Sequence, residues 1–382
     1  MPLGWITPLT ISKLMKIAID VHSLGTQSGG NETYFRQLLH GLAADKSSNQ
    51  YDLCYTHPSA RNEIQNDPRF RFTPIPNNPI PRLCASLPWH LWKTKPDIFH
   101  CQYVKPPFGK TRTVVAIHDL AHEHYPEFFH PIEAARMKAL VRWTAKHADH
   151  ILTISEFSAD DIARRFHISR DKITVAYLSA SAEFHPRDKD TCKEHLAKAY
   201  GIEFPFVLYV GRVQARKNLP RLVEAYSQLK KQGVSAKLVI VGKKDWQFEQ
   251  LVARIKELDL VRDVIFPGYV PFSDLPLFYN AAEVFIFPSF FEGFGLPVIE
   301  SMASGTPTIT SFGSSLAEVA GDGAILVDPQ DTSAMAEALI KVLGEPLFAQ
   351  QLSQRGLLRS AQFLPGVLAT KTLDAYRKVL SL

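Results

Sequence analysis

The stretch KITVAYLSASAEFHPRDKD, residues 172–190, lies between two similar halves of the chain. It begins as a short β-branched run and continues, from residue 179, as a polar segment with a proline and no hydrophobic periodicity. Such a segment predicts an interdomain linker over residues 179–190. A chain of 382 residues is also too long for one comfortable hydrophobic core, so we expect two domains, residues 1–180 and 181–365.

Short apolar runs alternate with amphipathic patterns in both halves. The predicted strands of the first half are KIAIDVHS (16–23), YDLCYTH (51–57), DIFHCQ (97–102), TVVAIHD (113–119), HILTIS (150–155) and KITVAYL (172–178). Those of the second half are FVLYVGR (206–212), KLVIVGK (237–243), VIFPGYV (264–270), VFIFPS (284–289), PTITSF (307–312) and AILVDP (324–329). Continuous apolar runs are typical of parallel strands buried on both faces. The pattern predicts an α/β protein with two Rossmann-like, doubly wound parallel sheets facing an interdomain cleft.

Amphipathic helices are predicted at 31–44, 131–148 and 156–168, the last capped by Ser155. The final helix, in residues 366–382, is a candidate for a crossover back to the first domain. Residues 1–14 lack the charge pattern and cleavage site of a signal peptide, and we interpret them as an extension before the first strand.

Composition narrows the function classes. No apolar run reaches the roughly 18 residues that a membrane span needs. The four cysteines form no C-x-x-C pair, so we expect no zinc site, no disulfide framework and a reduced, cytoplasmic protein. Residues 1–182 hold 21 Lys and Arg against 16 Asp and Glu, which accounts for the whole net charge of +5. This excess indicates either an anionic acceptor or membrane surface, or an ordinary solvated face; no nucleic-acid partner is expected.

The strongest motif is SFFEGFGLPVIESMASG, residues 289–305, which predicts a strand, a glycine turn and a helix. Glu292 and Glu300 lie eight positions apart around this turn, and carboxylates are natural acceptors for pairs of sugar hydroxyls. Gly293 and Gly295 leave the backbone N–H groups open to a ligand. The alternative is a structural helix with a glycine turn.

A second motif, YVGRVQARKN at 209–218, places Arg212 and Lys217 after a strand, with Asn218 as the expected helix cap. Two cations at a helix N-terminus form an anion site, although such a loop alone is more often a solvated turn.

Two weaker signals lie in the first domain. Gly29 and Gly30, in SGGNETYFRQLL (28–39), open a helix after the first strand but lack a full dinucleotide fingerprint. His118 and Asp119 end a buried strand, where a histidine is either structural or directed into the cleft.

As a set, these motifs resemble the family-4 retaining glycosyltransferases of the GT-B fold over nearly the whole chain. EGFGLPVIE (292–300), GRVQARKN (211–218), the Gly-Gly turn, the His-Asp pair and SEFS (155–158) occur in the family's order. AIHDLAHEHYPEFF (116–129) and VGKKDW (241–246) further resemble a mannosyltransferase-B-like branch, which implies GDP-mannose as the donor. Two departures are Ala317, where many relatives have proline, and FLPGVL (363–368), which replaces a segment that often contains tryptophan.

The resemblance implies roles for the matching residues. Arg212 and Lys217 would bind the donor pyrophosphate, and Glu300 would hold the ribose. Tyr269 and Val270 would border the base, and Gly29 and Gly30 would line the donor site. The implied contacts with the transferred sugar are Glu292, Gly293, Phe294, Gly295 and Leu296. The implied catalytic residues are His118, Arg212, Lys217 and Glu292.

The resemblance also implies same-face attack, in which the leaving phosphate accepts the acceptor's proton, without a cofactor or metal. A literal D-x-D at Asp188 and Asp190 falls in the predicted linker, and we interpret it as a solvated charge cluster. The acceptor would be a glycan or lipid-linked saccharide in cell-surface polysaccharide synthesis. LPWHLWKTK (87–95) mixes tryptophans with lysines, and is either a membrane-surface helix or a core-facing one.

Three alternatives remain at the level of the sequence. They are a UDP-sugar-dependent transferase, another GT-B enzyme such as an epimerase or phosphorylase, and a non-catalytic nucleotide-sugar-binding protein.

Overall fold

The computed structural model describes residues 14–26, 29–243 and 248–381. Three sequence expectations fall outside these ranges: the extension at residues 1–13, Ser28 of the Gly-Gly turn, and residues 244–246 of VGKKDW.

The first domain is a seven-stranded parallel sheet with the order β3-β2-β1-β4-β5-β6-β7. Its strands are β1 Lys16–Asp20, β2 Gln50–Tyr55, β3 Phe70–Pro74, β4 Ile98–Gln102, β5 Arg112–Ala116, β6 His150–Thr153 and β7 Ile173–Val175. Its helices are α1 Gly30–Ala44, α2 Pro79–Pro81, α3 Leu87–Thr94, α4 Ala121–His124, α5 Pro131–His147 and α6 Glu156–Phe166. Ser155 caps α6 as expected, because its Oγ accepts the backbone N–H of Ser158 at 3.1 Å.

The second domain is a six-stranded parallel sheet with the order β10-β9-β8-β11-β12-β13. Its strands are β8 Phe206–Val210, β9 Lys237–Val241, β10 Val264–Ile265, β11 Val284–Phe287, β12 Thr308–Ser311 and β13 Ile325–Val327. Its helices are α7 Lys189–Tyr200, α8 Leu219–Lys231, α9 Phe248–Glu257, α10 Leu275–Ala281, α11 Leu296–Ala303, α12 Ser315–Ala320, α13 Thr332–Gly344 and α14 Pro346–Ser360. The prediction of two doubly wound parallel sheets is confirmed.

The segment between the sheets is shorter than the predicted linker. Its polar part begins at Ser179, which is bonded to the side chain of Gln37 on α1. Helix α7 begins at Lys189, because the Asp188 carboxylate accepts the backbone N–H of Thr191 at 2.8 Å and caps the helix. The expectation that Asp188 and Asp190 both lie in a linker is therefore corrected, since Asp188 is a helix cap and Asp190 is helical.

The last helix, α15 Val367–Leu380, packs against the first domain. It contacts α1, and the Tyr376 hydroxyl lies 2.6 Å from His100 Nδ1 on β4. The chain thus crosses between the domains twice, once before α7 and once before α15.

In each sheet the strand order reverses beside the first strand, because the next two strands lie on one side of it and the later strands lie on the other. This happens between β1 and β4 in the first domain and between β8 and β11 in the second. In open parallel sheets, ligands bind beyond the carboxyl ends of the strands at such a point. Of the motif residues, Gly29 and Gly30 follow β1, Lys217 follows β8 and Glu292 follows β11.

Candidate functional site

A buried charged cluster lies at the switch point of the second domain. The loop after β8 supplies Arg216 and Lys217, and the turn after β11 supplies Glu292. Lys217 Nζ is 2.5 Å from one Glu292 carboxylate oxygen, and an Arg216 guanidinium nitrogen is 2.8 Å from the other. The side chains of Lys217 and Glu292 are both buried. One carboxylate therefore bridges two cations in a site with little solvent.

These contacts shift the protonation of the cluster. Burial alone would raise the pKa of Glu292, but Arg216 and Lys217 lower it to about 2. Burial and the charge of Arg216 lower the pKa of Lys217 to about 8. Burial disfavours the charged form of Arg216, but the nearby carboxylates of Glu292 and Asp119 raise the pKa of Arg216. At neutral pH these three side chains together carry a net positive charge, and the nearby Asp119 carboxylate acts on both cations.

The backbone of Glu292 is fixed by two serines of the SSLAEVAG segment. Its N–H donates to Ser314 Oγ at 3.0 Å, and its carbonyl accepts from Ser315 Oγ at 2.8 Å. The position of Glu292 is thus fixed by hydrogen bonds to its backbone and by the contacts of its carboxylate with Lys217 and Arg216.

Glu300 has a different environment, on α11. Its carboxylate accepts a hydrogen bond from the Tyr279 hydroxyl at 2.9 Å, and it has no ion-pair partner among the described residues. Burial raises the pKa of Glu300 to about 7, although the Tyr279 hydrogen bond opposes this shift.

The two glycines of the turn between these glutamates allow close approach of neighbouring protein atoms. A Cβ on Gly293 would lie 2.5 Å from the carbonyl oxygen of His118, so only glycine permits this approach of the two domains. Gly295 has φ +96°, and a Cβ there would lie 2.4 Å from Leu316. Phe294 is buried against Tyr177 and Phe363, and Leu296 begins α11.

The remaining predicted donor residues of the second domain lie at its sheet edge. Arg212 is half-buried directly after β8, and its carbonyl accepts the Tyr209 hydroxyl at 3.3 Å. Tyr269 follows β10 and is 81% exposed, whereas Val270 packs against the core. No contact between Tyr269 and the charged cluster is found in the described part of the chain.

Asn218 occupies the N-cap position of α8, as predicted, but its side chain makes no capping hydrogen bond. Asn218 precedes α8 in a left-handed conformation with φ +61°. Its buried side-chain amide instead donates to the carbonyls of Pro288 and Pro329. It therefore ties the Lys217 loop to the ends of two neighbouring strands.

His118 lies in the first domain, with its carbonyl oxygen against Gly293 of the glycine turn. The Gln102 amide donates to His118 Nε2 at 2.9 Å and to the Asn31 carbonyl at 3.0 Å. Burial lowers the pKa of His118 to about 3, so the imidazole is neutral and its Nδ1 carries the proton. This buried Nδ1 has no hydrogen-bond partner within the described ranges.

Gly29 and Gly30 lie next to this network, at the start of α1. Asn31, whose carbonyl bonds Gln102, follows them directly. A Cβ on either glycine would meet no described atom within 4 Å, so both border open space. The structure thus brings the Gly-Gly turn and His118 into one hydrogen-bonded group.

Two sets of contacts join the domains around the cluster. Phe290 and Phe291, just before Glu292, pack against aromatic rings of the first domain, with Phe291 4.7 Å from His124 and Phe290 5.8 Å from Phe128. The Glu318 carboxylate accepts the backbone N–H groups of Glu156 and Phe157, each at 2.8 Å. An acidic group at a helix N-terminus is favourable, so Glu318 anchors α6 to the second domain.

Sequence reasoning missed Arg216, Gln102, Tyr279 and Glu318. Arg216 had a local signal, because it is adjacent to Lys217 in the ARKN segment. The other three are recognisable only from contacts that are distant in sequence.

A separate polar group lies under α3. The ligand atoms of Asp52, Cys54 and His90 are within 4.8 Å of one another, a proximity that the cysteine spacing did not indicate. Asp52 already accepts from Thr73 at 2.6 Å and pairs with His90 at 2.8 Å. Burial raises the pKa of the Cys54 thiol well above its usual range, which favours the protonated form. We interpret the group as an anchor of α3 to the sheet.

The fold and this site define a glycosyltransferase. Two family descriptions match the chain: Glycosyltransferase Family 4 over residues 28–180 and Glycosyl transferases group 1 over residues 193–359. The O-antigen chain mannosyltransferase B of Escherichia coli is 33% identical over 294 residues, which are 76% of this chain and 76% of that protein. The chain belongs to the family-4 glycosyltransferases of the GT-B fold.

Solved structures share this architecture. Sucrose-phosphate synthase from Thermosynechococcus elongatus has a TM-score of 0.80 at 23% identity, covering 96% of this chain and 99% of that one. Anabaena HepE in complex with UDP-glucose has a TM-score of 0.75 at 17% identity, covering 96% and 100%. At these identities the likeness shows the fold.

Proposed function

We propose that the enzyme transfers mannose from GDP-mannose, with retention of configuration, to a glycan or lipid-linked acceptor in cell-surface polysaccharide synthesis. The observation that carries the proposal is the Lys217–Glu292–Arg216 cluster, which lies at a sheet switch point opposite His118. The 33% identity to a mannosyltransferase supports mannose as the transferred sugar.

The proposed donor pose uses the surplus charge of the cluster. The pyrophosphate lies between Arg212, Lys217 and the N-terminus of α11, where cations and backbone N–H groups favour an anion. Glu300 accepts the ribose hydroxyls beside Tyr279. Glu292 and the unpartnered Nδ1–H of His118 bind hydroxyls of the transferred sugar.

The proposed reaction is a same-face displacement. The bond between the anomeric carbon and the phosphate oxygen breaks, the acceptor oxygen attacks from the same face, and the departing phosphate takes the acceptor proton. Arg212 and Lys217 stabilise the charge that develops on the diphosphate. Neutral His118 contributes a hydrogen bond rather than a charge.

A donor panel tests this function. GDP-mannose, GDP-glucose, UDP-glucose and UDP-galactose are incubated with the enzyme and a mixture of saccharide acceptors, and release of nucleoside diphosphate is measured. We expect turnover of GDP-mannose above the others and an α-linked product by NMR. Turnover of a UDP-sugar alone would overturn the donor assignment, and no release from any donor would overturn the function.

Asp119 provides the test of the stereochemical route. Its charge acts on Arg216 and Lys217, so this carboxylate lies near the charged cluster. Asp119 is therefore the candidate nucleophile of the first domain for a double displacement. Same-face attack predicts that Asp119→Asn keeps measurable turnover and that no glycosyl adduct forms. A covalent sugar on Asp119, detected by mass spectrometry during turnover, would establish the two-step route instead.

We also propose that α3 docks on an anionic membrane that carries the acceptor. Trp89 is 58% exposed and Trp92 72% exposed, and Lys93 Nζ lies 5.0 Å from the Trp89 ring centre. Exposed tryptophans beside lysines suit a membrane interface with anionic headgroups. Among the described residues, no helix combines the length and apolar character needed to cross a bilayer.

Liposome flotation tests this surface. Binding to vesicles with anionic lipid is expected to exceed binding to neutral vesicles, and Trp89→Ala with Trp92→Ala is expected to remove the difference. Phe108→Ala, another exposed aromatic of the first domain, serves as the matched control. Equal flotation with anionic and neutral vesicles would contradict the proposal.

A further inference from the structure

A cavity of about 420 Å³ lies beside the charged cluster, where the two domains meet. The first domain contributes Tyr125, Glu127 and Phe128, and the second contributes Phe290 and residues 213–215 and 218–221. This volume falls within the range of about 300–1,000 Å³ that small-molecule sites occupy. Because both domains line the cavity, it is complete only when they are together.

The cavity is lined by sequence neighbours of the charged cluster and not by the charged residues themselves. Ala215 and Asn218 line it on either side of Lys217, and Phe290 lines it two residues before Glu292. Lys217 and Glu292 themselves do not line it. A ligand in this cavity therefore touches the same two loops as the donor without competing for their charged groups.

The lining offers flat aromatic faces. The rings of Tyr125 and Phe128 are parallel within 2°, with centres 5.3 Å apart, and the Phe290 ring centre lies 5.8 Å from that of Phe128. The face of an aromatic ring carries partial negative charge, which attracts the weakly positive C–H groups on the apolar face of a sugar ring.

Planar amides complete the lining. Gln250 and Gln330 are exposed at the cavity edge, and neither side-chain amide has a hydrogen-bond partner elsewhere in the described part of the chain. A glutamine amide both donates and accepts, so it matches the paired donor and acceptor character of neighbouring hydroxyls.

The charge of the lining argues against a phosphate ligand. Its charged side chains are Glu127 and Arg221, which are opposite in sign, and Arg221 already lies over the Phe290 ring at 5.4 Å. Without surplus positive charge, the cavity favours a neutral polyhydroxyl ligand over a diphosphate.

We infer that this cavity binds a sugar unit of the acceptor glycan, at a distance of one or more sugars from the hydroxyl that receives the transferred residue. The inference rests on the proposed function, since it takes the ligand to be an acceptor. It makes the enzyme selective for an oligosaccharide over a single sugar.

Saccharide binding by calorimetry tests the cavity independently of turnover. The probes are defined mono- to tetrasaccharides of mannose, glucose, galactose and N-acetylglucosamine, titrated into the full chain with GDP present. We expect at least one oligosaccharide to bind roughly tenfold tighter than its monosaccharide. Phe128→Leu, which keeps bulk but loses the flat face, and Gln330→Ala should each remove most of this gain.

Phe108→Ala is the control, because it removes an exposed phenyl group outside the cavity lining. Binding of GDP alone should be the same in all four proteins. The inference is overturned if no saccharide binds the unmodified enzyme, if the length-dependent gain survives in both cavity variants, or if those variants weaken GDP binding. Failure of the proposed function is distinct, since it appears as absent release of nucleoside diphosphate whether or not a saccharide binds.

Discussion

Glu292 and Glu300 lie eight positions apart in one strand–turn–helix segment, yet their surroundings are opposite. Glu292 contacts Lys217 and Arg216, which lower its pKa to about 2. Glu300 contacts only the hydroxyl of Tyr279 among the described residues, and burial raises its pKa to about 7.

The difference shows how one motif supports two tasks. Glu292 is an anion held between Lys217 and Arg216, and the next residue, Gly293, lies against the His118 carbonyl of the first domain. Glu300 has no cationic partner among the described residues, so additional hydroxyl donors are what would stabilise its ionised form. We therefore assign the transferred sugar to Glu292 and the ribose to Glu300.

The largest effect is expected when the cations proposed to bind the donor diphosphate, Arg212 and Lys217, are removed. Arg212→Ala and Lys217→Ala should each lower kcat by about 10²–10³-fold, because each removes a charge that stabilises the leaving diphosphate. Steady-state release of nucleoside diphosphate measures this. Lys231→Ala, at the exposed end of α8, should leave kcat unchanged; a comparable loss in that variant would point to a general effect of charge.

The second-largest effect is expected in stability, where substitutions of the two glutamates should differ. Glu292→Gln removes the carboxylate that pairs with the buried Lys217 and the partly buried Arg216, so we expect a loss of about 3–5 kcal/mol in the free energy of unfolding. Glu300→Gln retains a hydrogen bond with Tyr279 and should change it by less than about 1 kcal/mol. Urea unfolding measures both values, and equal losses would refute the electrostatic contrast.

A smaller effect is expected in how the affinity for the nucleotide-sugar donor changes with pH. Ribose hydroxyls donate to ionised Glu300, so affinity for a nucleotide sugar should rise as pH increases through about 7. Glu300→Gln should remove this rise, because amides do not titrate. Calorimetry between pH 6 and 8 with a nucleotide sugar measures it, and an unchanged slope in the variant would assign the titration to another group.

The same shift has a consequence for folding. The pKa of Glu300 is higher in the folded protein than in the unfolded chain, so the folded state binds this proton more tightly. The resulting contribution to stability is present at low pH. It is lost as pH rises from about 4.5 to about 7.

No effect is expected from metal removal. In the proposed mechanism Arg212 and Lys217 supply the positive charge that a divalent cation supplies elsewhere, and Asp188 caps α7. Turnover should therefore persist in excess EDTA and in the double variant Asp188→Asn with Asp190→Asn. Loss of activity with EDTA, restored by magnesium, would contradict this scheme.

The sequence predicted the fold class because buried parallel strands have a local apolar signature that repeats along the chain. It missed β3, since Phe70–Pro74 is short, is interrupted by Arg71 and lies at the sheet edge. It also extended β10, which pairs over only Val264 and Ile265.

The site was only partly predictable. Lys217, Glu292 and His118 stood in recognisable motifs, and the structure places the first two in direct contact. The bond from Gln102 to His118 and the capping of α6 by Glu318 join residues distant in sequence, so no local pattern indicated them. Gly293 illustrates the limit, because its need for glycine arises from the His118 carbonyl of the other domain.

The division of labour between the two glutamates is tested most directly by calorimetric titration of GDP into the unmodified enzyme, Glu292→Gln and Glu300→Gln. We expect Glu300→Gln to weaken GDP binding by roughly tenfold to a hundredfold, or about 1–3 kcal/mol, through loss of the ribose contact. Glu292→Gln should bind GDP as tightly as the unmodified enzyme or more tightly, because Lys217 is released from its anion. Equal losses of GDP affinity in the two variants would contradict the account.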